Sequence, residues 1–171
     1  MDERIGQTVT VDGADYRILR LLGKGKGGYS YLAEAPGGEQ VTVKQIHHEP
    51  CAYYQFGDKL AAELNDYRRL REAGVPVPEL LVVDRAGERL VKAYIPGSTV
   101  CELVLADALP DWCLRQAESM AGRLRALGLN IDYFPTNFIP HGGILWYVDY
   151  ECNSYMEQWD FPHWGRLYWS K

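Results

Sequence analysis

The sequence NIDYFPTN occupies residues 130–137, and VDYE follows at residues 148–151. In the first segment Asn137 follows Asp132 by five positions, and in the second Asp149 ends a short apolar run. The carboxylate of Asp132 can hold an acceptor hydroxyl, and the oxygens of Asn137 and Asp149 are donors that suit Mg²⁺. This pattern is typical of sites that transfer phosphoryl groups.

Upstream, Gly23, Gly25 and Gly28 form a GxGxxG motif between two predicted strands. A dinucleotide-binding fingerprint would begin a helix instead, and neither GxxxxGKS nor GxxxxGKT occurs in the chain. Between strands, glycines allow the backbone to fold closely over phosphates. Taken alone, the motif is better explained as a flexible hairpin turn.

Lys44 and Glu63 are candidates for an ion pair. Lys44 ends the alternating segment VTVK at residues 41–44, and an inward-facing lysine there must find an anion or shift its pKa. Glu63 borders the apolar stripe of the following predicted helix. The pair would direct Lys44 at a phosphate, whereas each residue taken alone is better explained by an exposed position.

Alternating apolar patterns and turn signals predict short strands in the first half of the chain. These strands cover residues 8–11, 16–22, 29–34, 40–46, 79–83 and 88–94. Helical spacing predicts a helix over residues 58–73, with Asp58 and Gly74 at its ends, and a second helix over residues 110–127.

The segment PGS at residues 96–98 marks the boundary between two predicted lobes, residues 1–95 and 96–171. The first lobe combines strands with one helix. The second is mostly helical, with a hairpin from residues 136–139 and 144–148. The predicted fold class is therefore α+β, with two lobes in one domain.

The composition limits the class of protein. The 171 residues carry a net charge of −5 and are 47% hydrophobic, as in an ordinary soluble globular protein, and the acidic balance argues against a general nucleic-acid partner. No apolar run is long enough for a membrane span, and the charged N-terminus does not resemble a secretory signal. The four cysteines lack CxxC spacing. We expect a cytoplasmic protein with reduced thiols and no membrane partner.

Taken in order, these motifs resemble the protein-kinase-like superfamily. Residues 23–28 are similar to its Gly-rich loop, residues 41–44 to its lysine strand, and Glu63 to the glutamate of its first helix. Residues 91–95 resemble the last strand and the hinge that receives adenine, where Ala93 and Ile95 would contact the nucleotide.

The two C-terminal motifs complete the resemblance. Residues 130–137 are similar to HRDxxxxN, and residues 148–151 stand where DFG would be. The implied fold is bilobal, with a five-stranded N-lobe that contains one helix and a short, reduced C-lobe. The chain would thus be a minimal, atypical kinase.

The resemblance implies an ATP- and Mg²⁺-dependent phosphotransferase that transfers the γ-phosphoryl group to a hydroxyl. Asp132 would orient and deprotonate the acceptor, which could belong to a protein or to a small molecule. Asn137 and Asp149 would hold Mg²⁺. Lys44, positioned by Glu63, would neutralise the phosphates, and Gly23, Gly25 and Gly28 would cover them.

Several positions depart from the family pattern. Asn130 replaces the usual His, Thr42 replaces a small Ala, and Tyr-Glu follows Asp149 in place of Phe-Gly. No APE motif or helical docking platform follows Asp149. The alternative function is therefore a nucleotide-binding pseudokinase that acts as a regulatory or scaffolding module.

The segment after Asp149 is rich in aromatic residues. Its members are Tyr150, Tyr155, Trp159, Phe161, Trp164, Tyr168 and Trp169. We interpret this segment as a strap that covers apolar surface, in preference to a stacking surface for a base or substrate. Exposed aromatic side chains there would instead favour a homodimer.

Overall fold

The computed structural model describes residues 4–25, 27–47 and 58–170, which form a mixed α+β protein. The helices in these ranges are α1 (Lys59–Glu72), α2 (Val100–Leu105) and α3 (Asp111–Ala126). The strands are β1 (Thr8–Val11), β2 (Ala14–Lys24), β3 (Gly28–Glu34), β4 (Gln40–Ile46), β5 (Leu80–Asp84), β6 (Arg89–Ala93), β7 (Leu129–Asn130), β8 (Phe138–His141), β9 (Ile144–Tyr147) and β10 (Asn153–Ser154).

The chain divides into two compact units. The first contains Met1–Ala62 and Glu79–Tyr94, and the second contains Glu63–Pro78 and Ile95–Lys171. The boundaries fall inside α1, between Pro78 and Glu79, and directly after Tyr94.

The first unit is built on one antiparallel sheet with the strand order β1-β2-β3-β4-β6-β5. All the strands predicted in this half of the chain are confirmed. The sheet has six strands, so the five-stranded N-lobe implied by the resemblance is wrong by one. The additional strand is β1, which pairs with β2 because Asp12 and Gly13 both have positive φ and make a tight hairpin turn.

The sheet curls until its two edges meet. Arg89 Nη1 donates to the carbonyl oxygen of Thr10 at 2.7 Å, and the backbone N–H of Asp12 donates to Asp84 Oδ2 at 2.9 Å. These hydrogen bonds join β1 at one edge to the β5–β6 hairpin at the other. The concave side is filled by buried apolar residues, namely Val11, Tyr16, Ile18, Tyr31, Ala33, Val41, Val43 and Val91.

Helix α1 begins and ends where the sequence predicts. Asp58 Oδ1 accepts a hydrogen bond from the backbone N–H of Ala61 at 2.9 Å, which satisfies one free donor of the first turn. After the last turn, Gly74 has a φ of +77°, a conformation that glycine adopts without strain.

The second unit packs α2, α3 and the β8–β9 hairpin around its own core. Residues Cys113, Ala117, Met120 and Leu124 recur at helical spacing on α3 and are buried, which confirms the second predicted helix. Phe161 and Trp169 join this core, with their rings 5.3 Å apart at 89°. The strap interpretation of the aromatic segment is confirmed for these two residues.

Two further observations bear on the expectations from sequence. Cys101, Cys113 and Cys152 are free thiols, while Cys51 lies outside the described residues. No described helix has the length and apolar character that a membrane crossing requires.

Candidate functional site

Asp132 lies in a loop that is held by hydrogen bonds between side chains and backbone groups of the loop itself. Asp132 Oδ1 accepts from the backbone N–H of Phe134 at 3.1 Å, and Asn137 Nδ2 donates to the carbonyl oxygen of Asp132 at 3.2 Å. Pro135 begins the short 3₁₀ turn Pro135–Asn137, which carries the chain from this loop into β8. The loop therefore holds Asp132 and Asn137 at a fixed separation.

The β8–β9 hairpin brings Asn137 to the strand end that precedes Asp149. Phe138 pairs with Tyr147, and the backbone N–H of Val148 donates to the carbonyl oxygen of Asn137 at 2.8 Å. Asp149 follows directly and is exposed, whereas Asn137 is buried. The three polar residues of the two C-terminal motifs thus lie on connected segments of one unit.

The hydroxyl of Tyr147 ties the two motif segments together. It accepts from the backbone N–H groups of Asp132 and Glu151, each at 3.1 Å, and donates to the carbonyl oxygen of Glu151 at 3.3 Å. Tyr147 is fully buried, and burial raises the pKa of its hydroxyl well above the ordinary value. The group therefore stays protonated and holds both loops. Sequence reasoning missed this role.

Glu63 has a partner that the sequence did not predict. The hydroxyl of Tyr150 donates to Glu63 Oε2 at 3.4 Å, and both residues are buried. Burial, followed by the negative charge of Glu63, raises the pKa of Tyr150. Because Tyr150 follows Asp149, this bond links α1 to the second motif. The predicted partner of Glu63, Lys44, belongs to the first unit.

In the first unit, Lys44 lies near the middle of the sheet. It is opposite Ser30 of β3 and Leu90 of β6, and it is partly buried. Ala93 ends β6, where its backbone N–H donates to the carbonyl oxygen of Glu79 at 2.8 Å. Ile95 begins the range Ile95–Lys171, which belongs to the second unit.

The glycine motif spans the turn between β2 and β3. The backbone N–H of Gly25 donates to the carbonyl oxygen of Gly28 at 2.9 Å. A Cβ atom on Gly28 would lie 2.4 Å from the carbonyl oxygen of Gln45, so only glycine fits there. At Gly23 and Gly25 a Cβ atom would meet no other atom within 4 Å, so steric crowding does not explain these two glycines.

The donor set of the second unit is compatible with Mg²⁺. Asn137 uses Nδ2 to donate to Asp132, so its Oδ1 is turned away from that carbonyl. Mg²⁺ is commonly held by one or two carboxylates, with water and phosphate oxygens completing the octahedron. Asn137 and Asp149 supply oxygens of this kind. Among the described residues, no group of three or more His, Cys, Asp or Glu side chains could hold a metal by itself.

Comparison with known proteins gives a partial match. No protein-family model matches the chain. Over 91 residues the chain is 31% identical to the protein described as "Probable serine/threonine-protein kinase PkwA" from Thermomonospora curvata. The match spans 52% of this chain and 12% of that kinase. This distant and partial similarity supports a kinase-like relationship.

Proposed function

We propose that this protein is an ATP- and Mg²⁺-dependent phosphotransferase with a bilobal kinase-like fold, which transfers the γ-phosphoryl group to a hydroxyl. The observation that carries the proposal is the arrangement of Asp132, Asn137 and Asp149 on segments joined by the β8–β9 hairpin and by Tyr147. The partial likeness to a kinase supports the same conclusion.

Each site residue has a role in this proposal. Asp132 orients the acceptor hydroxyl and takes its proton, and Asn137 and Asp149 hold Mg²⁺. The bound metal would neutralise charge on the phosphate oxygens. Lys44 binds the α- and β-phosphates and Glu63 aims it.

The remaining predicted residues serve the nucleotide. The backbone around Gly23, Gly25 and Gly28 covers the phosphates, since glycine lets the main chain approach a ligand closely. Ala93 and Ile95 contact the adenine.

One observation favours the alternative function of a nucleotide-binding regulatory module. Glu63 is hydrogen-bonded by Tyr150. This bond joins α1 to the residue that follows Asp149, so a ligand held at Asp149 would also act on α1, as a regulatory module requires. A protein of this kind would bind ATP and turn it over slowly or not at all.

The two functions are distinguished by measuring nucleotide binding and transfer together. The protein is incubated with γ-labelled ATP, Mg²⁺ and a cell lysate, and its melting temperature is measured with and without Mg²⁺ and ATP. We expect label transfer to fall about 100-fold or more in Asp132→Asn, which removes the proton acceptor. We expect Asp149→Asn to lose the Mg²⁺-dependent thermal shift.

Asp107→Asn is the matched control. Asp107 is exposed and has a φ of +54°, which asparagine tolerates well, so this variant should keep both properties. Binding without transfer in the wild type would favour the regulatory module. The absence of any thermal shift at millimolar ATP would contradict both functions.

A further inference from the structure

The second unit contains a cavity of about 210 Å³ between α3 and the aromatic segment. Glu118, Gly122 and Arg125 line it from α3, and Asn130, Tyr133 and Asp160 line it from the other side. None of the three site residues Asp132, Asn137 and Asp149 lines this cavity. It is therefore a separate feature, and a ligand bound in it would not depend on the proposed function.

Two buried side chains bring polar atoms to the cavity that have no protein partner. Tyr133 is 1% exposed and Asn130 is 5% exposed. Asn130 Nδ2 donates to the carbonyl oxygen of Trp159 at 3.0 Å. Within the described ranges, neither Asn130 Oδ1 nor the Tyr133 hydroxyl makes a hydrogen bond, and neither atom is sealed off from the cavity. Because both atoms are open to the cavity and have no protein partner in the described ranges, a molecule that enters the cavity can form hydrogen bonds with them.

The carboxylate at the cavity wall is already satisfied by neighbouring groups. Asp160 Oδ1 accepts from the backbone N–H and the ring of His163, both at 2.8 Å, and Oδ2 accepts from the hydroxyl of Tyr155 at 2.7 Å. A ligand therefore does not need a positive charge to balance Asp160.

The other charges around the cavity also cancel. Arg166 forms an ion pair with Glu118, and the guanidinium of Arg125 lies 5.3 Å from the ring centre of Tyr155. The wall thus contains two acidic and two basic side chains, each with a protein partner. This balance favours a neutral ligand.

The volume of the cavity and its aromatic lining indicate the size and the apolar part of the ligand. A cavity of about 150 Å³ is enough for benzene. Tyr155 is partly exposed and brings an aromatic ring to the wall, and such rings prefer contact with a planar apolar group. The rings of Tyr133 and Phe161 pack against each other behind the wall, with their centres 5.5 Å apart. Burial, followed by the charge of Asp160, raises the pKa of Tyr133, so its hydroxyl can donate at neutral pH.

We propose that this cavity binds a small, neutral aromatic molecule that carries a carboxamide or an equivalent donor–acceptor pair. The N–H of the ligand donates to Asn130 Oδ1, and its carbonyl oxygen accepts from the hydroxyl of Tyr133. The ring of the ligand lies against the ring of Tyr155. Because Tyr133 directly follows Asp132, the occupied cavity would contact the loop that carries the predicted acceptor-binding carboxylate.

The proposal is tested with benzamide as the probe, by following backbone amide chemical shifts during titration of the full chain. A ligand of this size is expected to bind with a Kd of about 1 mM. Gly122→Leu should weaken binding at least about tenfold, since a Cβ at Gly122 meets no atom within 4 Å and the larger side chain extends into the cavity.

Gly122→Ala is the matched control. Both alanine and leucine are better helix formers than glycine, so neither variant should unfold α3. Alanine leaves most of the cavity open, and benzamide should bind to Gly122→Ala as it does to the wild type. Equal binding by Gly122→Leu and the wild type would place the ligand elsewhere and overturn the proposal.

A second variant tests the polar contacts. Tyr133→Phe removes a hydroxyl that has no protein partner in the described ranges, so the melting temperature should stay unchanged. Benzamide binding should weaken about five- to tenfold, and benzene binding should not change. The proposal fails if benzamide does not bind, or if benzene and benzamide bind equally to both proteins.

Discussion

At Tyr147 a single hydroxyl holds the backbone of two loops. Tyr147→Phe keeps the ring, which stacks on Phe138 at 4.9 Å, but leaves the N–H groups of Asp132 and Glu151 without this acceptor. We expect the free energy of unfolding to fall by about 1–3 kcal/mol, the cost of unpaired buried donors. Urea denaturation measures this loss.

Tyr168→Phe is the control for this substitution. Tyr168 is 43% exposed, and in the part of the chain that the structure describes its hydroxyl makes no hydrogen bond. The free energy of unfolding should change by about 0.5 kcal/mol or less. Equal losses in the two variants would mean that the hydroxyl of Tyr147 does not hold the loops.

Asp160 makes stability depend on pH. Burial alone would raise the pKa of its carboxyl, but hydrogen bonds from His163 and Tyr155 outweigh burial and lower the pKa below the ordinary 3.8. The unfolded chain therefore takes up the proton first as pH falls, so the stabilisation is present above about pH 4 and is lost below it. Asp160→Asn should be less stable than the wild type at pH 7.

The difference between these two proteins should shrink as the pH falls from about 5 to 3, as measured by thermal unfolding at each pH. Asp84, whose pKa is also lowered by backbone hydrogen bonds, is present in both proteins and cancels in the comparison. A difference that stays constant across this range would contradict the assignment to Asp160.

Residue spacing predicted Asp132, Asn137 and Asp149 as a set. It could not predict the hydrogen bonds that hold the segments carrying them in place. An alternating strand indicates that Tyr147 faces inward. It does not indicate which backbone groups its hydroxyl meets, because that depends on the register of β8 and β9. The hydrogen bond from Tyr150 to Glu63 joins residues that are far apart in the sequence, so no local sequence pattern predicts it.

At the scale of segments, the aromatic segment contacts the loop that carries Asp132. Trp169 Nε1 donates to the carbonyl oxygen of Tyr133 at 2.7 Å, and the indole is 1% exposed. Trp169→Ala should lower the free energy of unfolding by about 3–5 kcal/mol, because it leaves a large cavity and an unpaired carbonyl. Chemical denaturation provides the value.

Trp159→Ala serves as the comparison. Trp159 is 49% exposed, and its contact with Asn130 is made through its backbone carbonyl, which alanine retains. Its free energy of unfolding should fall by about 1 kcal/mol or less. If both tryptophan variants behave alike, the segment does not act as a strap through Trp169.

The elements that sequence analysis missed are short or held by distant partners. Helix α2 has six residues, too few for a clear apolar period, although Thr99 and Glu102 form a capping box that could have marked its start. Strands β7 and β10 pair through two residues each. Long elements with repeated apolar positions, such as α1 and α3, were predicted within one or two residues of their ends.

On the scale of the whole molecule, two clusters of buried apolar residues have no residue in common. Ile18 belongs to the first and Leu124 to the second. We expect Ile18→Val to cost about 1 kcal/mol and Leu124→Ala about 2–5 kcal/mol of unfolding free energy. In the double variant the two costs should add within about 0.5 kcal/mol.

Urea denaturation of the two single variants and the double variant measures this additivity. A control pair within one cluster, Met120→Leu with Leu124→Ala, should deviate from additivity because both side chains lie on the same face of α3. A larger deviation for the pair drawn from different clusters would contradict the division.

The closed curl of the six-stranded sheet has a consequence for behaviour in concentrated solution. Exposed edge strands offer free N–H and C=O groups on which a foreign strand can add. Here the carbonyl of Thr10 and the N–H of Asp12 on edge strand β1 and its turn are taken by Arg89 and Asp84. These two bonds reduce the number of groups at this edge that a foreign strand could pair with, and both are made by charged side chains.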